Sequence, residues 1–236
     1  MFMQELKCIG IIPDGNRRYS QKYGIPLHKA YAIGTKKAWD VIEWLQDYEE
    51  IKHGIFYTLS LENFQRRSRL ELKILFRIFE RELEKIKKKN YFEKFGICLR
   101  FIGKVSLLTK YLSKKMEEVE KITENNGPKN LYLAVCYNGQ QEIIDAAKRI
   151  AKMVKEGAVK VSEINQKLFR NMLYANIPFP DLIIRTGNTK RLSGFLTFQS
   201  AYAELEFIQK LWPEITREDL DKAISSFYKR QRRFGK

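Results

Sequence analysis

Short apolar runs alternate with amphipathic stretches along the whole chain. Cys8-Ile9-Gly10-Ile11-Ile12 is apolar at consecutive positions, which predicts a strand buried on both faces. Gly54 to Leu59, Ile97 to Ile102, Leu131 to Cys136, Leu182 to Ile184 and Leu205 to Phe207 predict further strands. Ile33 to Leu45 predicts a helix. Leu70, Ile74, Phe79 and Leu83 punctuate a long one, and Ile143, Ala147, Ile150, Ala151 and Val154 line one face of another. Ser162 is the expected cap of a helix reaching Leu173. Thr216 and Asp219 have capping-box spacing at the head of the last helix, with Asp in place of the usual Glu. This alternation predicts an α/β fold, a six-stranded and mainly parallel sheet flanked by helices on both faces. Crossovers should be right-handed, and ligands should collect at the carboxyl ends of the strands. No repeat or linker divides the chain, so residues 1–236 are expected to form one domain.

Composition narrows the class. An apolar fraction of 44% with 13% aromatics belongs to a folded chain. No window approaches the roughly 18 apolar residues of a membrane span, and Met1 to Lys7 has no signal-peptide run. The expected location is the cytoplasm. Cys8, Cys98 and Cys136 sit in apolar, strand-like runs and read as small buried hydrophobes. The net charge of +16 suits polyanions or anionic membrane surfaces without choosing among them. Aromatics such as Tyr19, Phe64 and Phe234 are too scattered to form a base-stacking platform, so nucleic acid is not an expected partner.

Candidate chemistry concentrates after the predicted strands. The first strand runs into Pro13-Asp14-Gly15-Asn16-Arg17-Arg18-Tyr19. Glycine allows close backbone approach, a helix start offers N–H groups to phosphate oxygens, and arginines add charge-assisted forks. Asp14 would repel a phosphate unless a divalent cation lay between them. The same residues would also serve as a turn with surface arginines. The second strand runs into Ser60-Leu61-Glu62-Asn63-Phe64-Gln65-Arg66-Arg67, again polar and basic. The fifth runs into Arg185 to Phe195, where Arg185, Lys190 and Arg191 stand with Thr186, Ser193 and two glycines. Glu204 lies in an apolar stretch and needs a cation, which a metal or a nearby Arg or Lys would supply. The chain ends on a basic tail containing Arg233-Phe234-Gly235. Several anion sites of this kind suit a substrate with more than one phosphate, or two phosphorylated substrates. Neither a Walker A loop, a GxGxxG fingerprint, an HExxH nor a paired CxxC is present.

Taken in order, these segments resemble the cis-prenyltransferase family, which includes undecaprenyl and dehydrodolichyl diphosphate synthases. The resemblance rests on IIPDGNRRY, SLENFQR, CYNGQQEI, DLIIRTGNTKRLSGF continuing to AYAELEF and LWPEI, and the Arg-x-Gly tail. It implies a parallel sheet with a hydrophobic tunnel, walled here by the helix from Leu70 to Leu83 and the second strand. It implies a Mg²⁺-dependent condensation of isopentenyl diphosphate with an allylic prenyl diphosphate, giving a polyprenyl diphosphate used as a glycosyl carrier lipid precursor. The allylic diphosphate would sit at Asp14, Gly15, Asn16, Arg17 and Arg18, with help from Arg66. Isopentenyl diphosphate would sit against Arg185, Arg191 and Ser193. Tyr19, Ser60, Glu62, Phe64 and Leu192 would complete the substrate-binding set. Asp14 and Glu204 would manage the metal. Asn63 matches the position near the proton removed, where a neutral amide orients groups better than it acts as a base. A homodimer is implied, with Arg233 and Gly235 completing the neighbouring site, and peripheral membrane contact is expected for so apolar a product.

The departures from the family pattern are Leu27 and Tyr31 in place of an arginine and a histidine, Phe64 for Trp, Thr189 and Gly194 for an acid and an Asn or Asp, and Cys136-Tyr137-Asn138-Gly139-Gln140 for NYGGR. They leave open a short-chain or irregular, head-to-middle condensing enzyme of the same family, or a non-catalytic partner subunit. Retention of Asp14 and the tail counts against the last.

Overall fold

Cys8–Ile12 (β1) is buried at every position, because strands flank it on both sides and packed layers cover both faces. The computed structural model describes residues 5–88 and 91–230. Within them His53–Ser60 (β2), Ile97–Ile102 (β3), Lys129–Tyr137 (β4), Leu182–Arg185 (β5) and Glu204–Phe207 (β6) join β1 in one sheet of order β3-β4-β2-β1-β5-β6. Every pairing is parallel, so the expected sheet forms with no antiparallel edge among the described residues.

The helices are Asn16–Lys22 (α1), Leu27–Trp44 (α2), Leu61–Arg66 (α3), Arg69–Lys88 (α4), Tyr91–Lys94 (α5), Lys110–Thr123 (α6), Gly139–Lys155 (α7), Gln166–Asn171 (α8) and Arg217–Lys229 (α9). Strand side chains alternate between two cores. Ile9, Ile11, Phe56 and Leu59 face the larger one, shared with Val41 of α2, Leu83 of α4, Leu112 of α6 and Phe227 of α9. Cys8, Ile12, Ile55 and Tyr57 face the smaller one, closed by Phe195 and Leu196.

Two helix starts differ from expectation. The helix expected from Ile33 begins at Leu27, because Pro26 has a φ of −57° and needs no amide partner at a helix start. Ser162 caps no long helix. Val161–Glu163 is a single tight turn, Ile164 is extended, and α8 starts at Gln166, where Asn165 Oδ1 accepts from Leu168 N at 3.0 Å. At α9 the Asp219 carboxylate accepts from Thr216 N at 2.8 Å, as the capping spacing predicts.

All three cysteines are free and buried. Burial pushes their thiols up, that of Cys136 to about 12, so none is poised as a thiolate. Among the described residues no helix is long and apolar enough to cross a membrane.

From β1 the chain builds β2, β3 and β4 to one side, then returns to add β5 and β6 on the other. That reversal opens a crevice between the carboxyl ends of β1 and β5, where open parallel sheets bind ligands.

Candidate active site

Asp14 leaves the carboxyl end of β1 and lies in this crevice. Its Oδ2 is 2.8 Å from Arg185 Nη2 at the end of β5, and its Oδ1 is 3.1 Å from Arg18 Nη2 on α1. Arg18 reaches back to it from the first turn of α1, Asp14 lying just ahead of the Gly15 helix cap. Arg18 Nη1 also donates to Gly187 O at 2.5 Å. The backbone is pinned as well. Asp14 O accepts from Thr186 Oγ1 at 2.7 Å and from Trp212 N at 3.0 Å. Gly187 has a φ of +83°, and a Cβ there would lie 2.9 Å from Asp14 O. Only glycine lets the two loops meet this closely.

The Arg185 side chain is 7% exposed. Its Nη1 donates to Ser193 Oγ at 2.8 Å and to Arg191 O, which ties the following loop to β5. Its Nε is buried and has no hydrogen-bond partner among the described residues. The buried Asn16 Oδ1 is unpartnered in the same sense. Arg191 and Ser193 themselves are exposed at the crevice.

The end of β2 supplies a second set. Ser60 Oγ accepts from Asn63 N at 3.0 Å and caps α3, which leaves Asn63 and Arg66 exposed. Phe64 turns inward and stacks on Phe76, centroids 6.4 Å apart. Glu62 accepts from Asn138 Nδ2, so its carboxylate is used within the protein. Tyr57, buried on β2, shares its hydroxyl proton between Tyr137 O at 3.0 Å and Ser193 O at 3.2 Å, supporting the Ser193 turn from below.

Two departures from the family pattern are one physical exchange. Asn138 caps α7, accepting from Gln141 N at 2.9 Å, and its Nδ2 side occupies the space above Gly194. A Cβ at position 194 would lie 2.6 Å from Asn138 Nδ2, and Gly194 has a φ of +75°. Gly139 N closes the contact by donating to Gly194 O at 2.7 Å. A small residue on one loop thus makes room for a large one on the other.

The crevice brings together Asp14, Gly15, Asn16, Arg17, Arg18, Arg185, Arg191 and Ser193, with Ser60, Glu62, Asn63, Phe64 and Arg66 at the adjacent strand end. Tyr19 packs on Tyr23, centroids 4.5 Å apart, and Leu192 packs against the smaller core. Glu204 is not brought to Asp14. It opens β6 opposite Leu182, three residues before Phe207 pairs with Arg185, which is roughly 10 Å back along the strand. There its Oε2 is 3.1 Å from Arg230 Nη1, the arginine pairing that competed with a metal role. Arg233 and Gly235 lie outside the described residues. Thr186, Tyr57 and Asn138 hold the site together, and motif spacing gave no sign of their contacts.

The donor set bears on a metal. No group of three His, Cys, Asp or Glu side chains suited to a metal occurs among the described residues. Asp14 is a carboxylate amid guanidinium groups. That fits Mg²⁺, which commonly takes one or two protein carboxylates and completes its shell with water and substrate phosphate oxygens.

A parallel sheet with a carboxylate and arginines at its switch point defines a phosphate-handling α/β protein. Residues 12–235 match a family profile described as "Putative undecaprenyl diphosphate synthase". A tritrans,polycis-undecaprenyl-diphosphate synthase (geranylgeranyl-diphosphate specific) from Pyrobaculum aerophilum is 42% identical, over 97% of this chain and 95% of its own. The protein of the same name from Thermoplasma volcanium is 42% identical over 97% and 88%. Lavandulyl diphosphate synthase from Lavandula x intermedia, solved with dimethylallyl diphosphate, superposes with a TM-score of 0.92 at 31% identity over 98% of each chain. A probable undecaprenyl diphosphate synthase from Campylobacter jejuni gives 0.80 at 33% identity, covering 99% and 100%. The chain belongs to the undecaprenyl diphosphate synthase family of cis-prenyltransferases, enzymes that transfer prenyl groups between isoprenoid diphosphates.

Proposed function

We propose that this chain condenses isopentenyl diphosphate with an allylic prenyl diphosphate and repeats the step to give a polyprenyl diphosphate, the precursor of a glycosyl carrier lipid. The observation that carries the reading is Asp14 held between Arg18 and Arg185 in the β1–β5 crevice. The names of the archaeal relatives favour geranylgeranyl diphosphate as the primer.

In this reading the allylic diphosphate lies against Arg17, Arg18 and Arg66, and isopentenyl diphosphate against Arg191, Ser193 and the buried Arg185. The two anions hold the reacting carbons together, which replaces a bimolecular encounter. The arginines neutralise charge as the allylic C–O bond breaks. α1 is a short helix, so guanidinium groups carry more of this task than a helix dipole does. Mg²⁺, held by Asp14 and diphosphate oxygens, would supply further neutralisation of the leaving group. Asn63 orients the group that accepts the departing proton. The product chain would leave along α4. A cavity of about 410 Å³ there is lined by Leu72 and Phe76 and edged by Arg69, Lys73, Arg77, Glu80 and Thr109. Its mixed lining departs from a purely apolar tunnel. A homodimer completed by the Arg233–Gly235 tail, and contact with an anionic membrane through the +16 charge, belong to the same proposal.

A second reading has its own support. The lavandulyl diphosphate synthase fold superposes at 0.92, against 0.80 for the bacterial relative. An irregular condensation giving one short product is therefore the alternative. Diphosphate release separates both from a non-catalytic chain. With Mg²⁺, purified protein should release inorganic diphosphate when an allylic diphosphate and isopentenyl diphosphate are both present, and release from an allylic diphosphate alone would favour the irregular condensation. No release with any allylic partner would contradict an enzymatic role.

A further inference from the structure

Arg67 stands in the turn between α3 and α4, just past the end of β2. Its side chain is only 14% exposed, and arginine is seldom buried so far unless its charge is used. Two residues hold it. Its Nε is 3.1 Å from Glu71 Oε1, an ion pair rather than an aligned hydrogen bond. Its guanidinium lies over the Tyr31 ring, 5.6 Å from the centroid. Tyr31 Oη donates to the same Glu71 oxygen at 2.5 Å, and Ser68 Oγ accepts from Glu71 N at 3.2 Å. Glu71 and Tyr31 are both buried, so the three side chains form a clip between α2 and α4.

The clip leaves the far end of the guanidinium over. The hydrogen bonds and ion pairs of the described residues give Arg67 Nη1 and Nη2 no acceptor. Of its nitrogens only Nε is among the buried unpartnered atoms, so the two Nη groups face solvent, where an anion can reach them. The clip is also tied to the Asp14 corner. Tyr31 lies one helical turn before Gly34. The carbonyl of Gly34 accepts from Trp212 Nε1 at 2.7 Å, and Trp212 N donates to Asp14 O at 3.0 Å. Burial pushes the Tyr31 phenol up, and the Arg67 charge and, more weakly, the Arg17 charge from the segment after Asp14 oppose it.

We propose that Arg67 is a ligand of the allylic diphosphate, and that Tyr31 and Glu71 are positioning residues that aim its free nitrogens at the Asp14–Arg18 corner. This rests on the reading of that corner as the allylic site. An arginine already fixed at its Nε and on one face loses little freedom on binding, and each charge-assisted bond it adds falls on a preorganised donor.

The test uses the full chain with Arg67→Gln, Arg67→Lys, Tyr31→Phe and the Arg67→Gln/Tyr31→Phe pair. Calorimetry reads affinity for geranylgeranyl diphosphate and for inorganic diphosphate, kinetics read the KM of each substrate, and circular dichroism reads Tm. Arg67→Gln should weaken both ligands about tenfold, as loss of one charged hydrogen-bonding group does. It should raise the allylic KM in step and leave the isopentenyl KM within about twofold. Arg67→Lys should recover part of the loss. Tyr31→Phe should weaken diphosphate in the same direction by a smaller factor, and the double variant should bind no worse than Arg67→Gln alone. A folded Arg67→Gln protein with unchanged diphosphate affinity overturns the proposal and leaves the clip a stabilising device only. A KM change confined to isopentenyl diphosphate also overturns it. If Arg67→Gln does not fold, unchanged affinity in Tyr31→Phe is the overturning result. Wild-type protein that binds neither diphosphate sinks the allylic-site reading itself, a different failure from a variant that binds like wild type.

Discussion

Removing the Asp14 carboxylate does two things at once. It takes away the candidate metal ligand, and it leaves the 7%-exposed Arg185 without its counter-charge. Breaking a fully buried pair costs about 3–5 kcal/mol, and because Asp14 is itself 31% exposed the cost here should be nearer ~2 kcal/mol. Asp14→Ala should therefore lose turnover and also lower Tm. Asp14→Asn separates the effects, since the amide oxygen still accepts from Arg185. It should keep most of the stability while turnover falls on the order of a hundredfold or more. Wild-type turnover in a folded Asp14→Asn protein would remove Asp14 from the chemistry. At this scale the candidate residues were legible because the charged types cluster after apolar runs. Their pairings were not. Asp14 meets Arg185 across 171 positions, and Glu204 meets Arg230 rather than Asp14. Neither contact has a local signal.

At the scale of elements, strands were easier to read than helix starts. Consecutive apolar residues mark a strand covered on both faces, and β1 is such a strand. Helix starts depend on which polar side chain wins an amide. Asn165 wins over Ser162 for α8 because Ile164 between them is extended. Loop complementarity is hidden in the same way. Gly194 and Asn138 read as two separate departures until the Asn138 side chain is found above Gly194. Gly194→Asn should destabilise the protein by about 1–3 kcal/mol, through overpacking and an unfavourable positive φ. Asn138→Gly should cost about 1–2 kcal/mol, since glycine still caps the helix at a loss of a few tenths but Glu62 loses its amide donor. The pair together should recover most of the overpacking loss. Additive losses in a Tm double-mutant cycle would mean that the two positions do not share space.

For the whole molecule, chain order decides where the chemistry can sit. Reversal of strand order at β1 opens the β1–β5 crevice, and all six strands deliver their carboxyl ends to that edge. The parallel fold was legible from strand–helix alternation, but the lateral order of strands was not, since crossovers of similar length permit several orders. Product length is a whole-molecule property too. On the proposed elongation it would depend on how far a growing chain can run along α4, where Leu72 and Phe76 alternate with charged residues. The most direct measurement is a product assay. Purified full-length protein is given Mg²⁺, labelled isopentenyl diphosphate and, separately, dimethylallyl, geranyl, farnesyl or geranylgeranyl diphosphate, and the hydrolysed products are sized by mass spectrometry. The account predicts a ladder ending in a long polyprenol, strongest from the geranylgeranyl primer. A single short or branched product would contradict chain elongation.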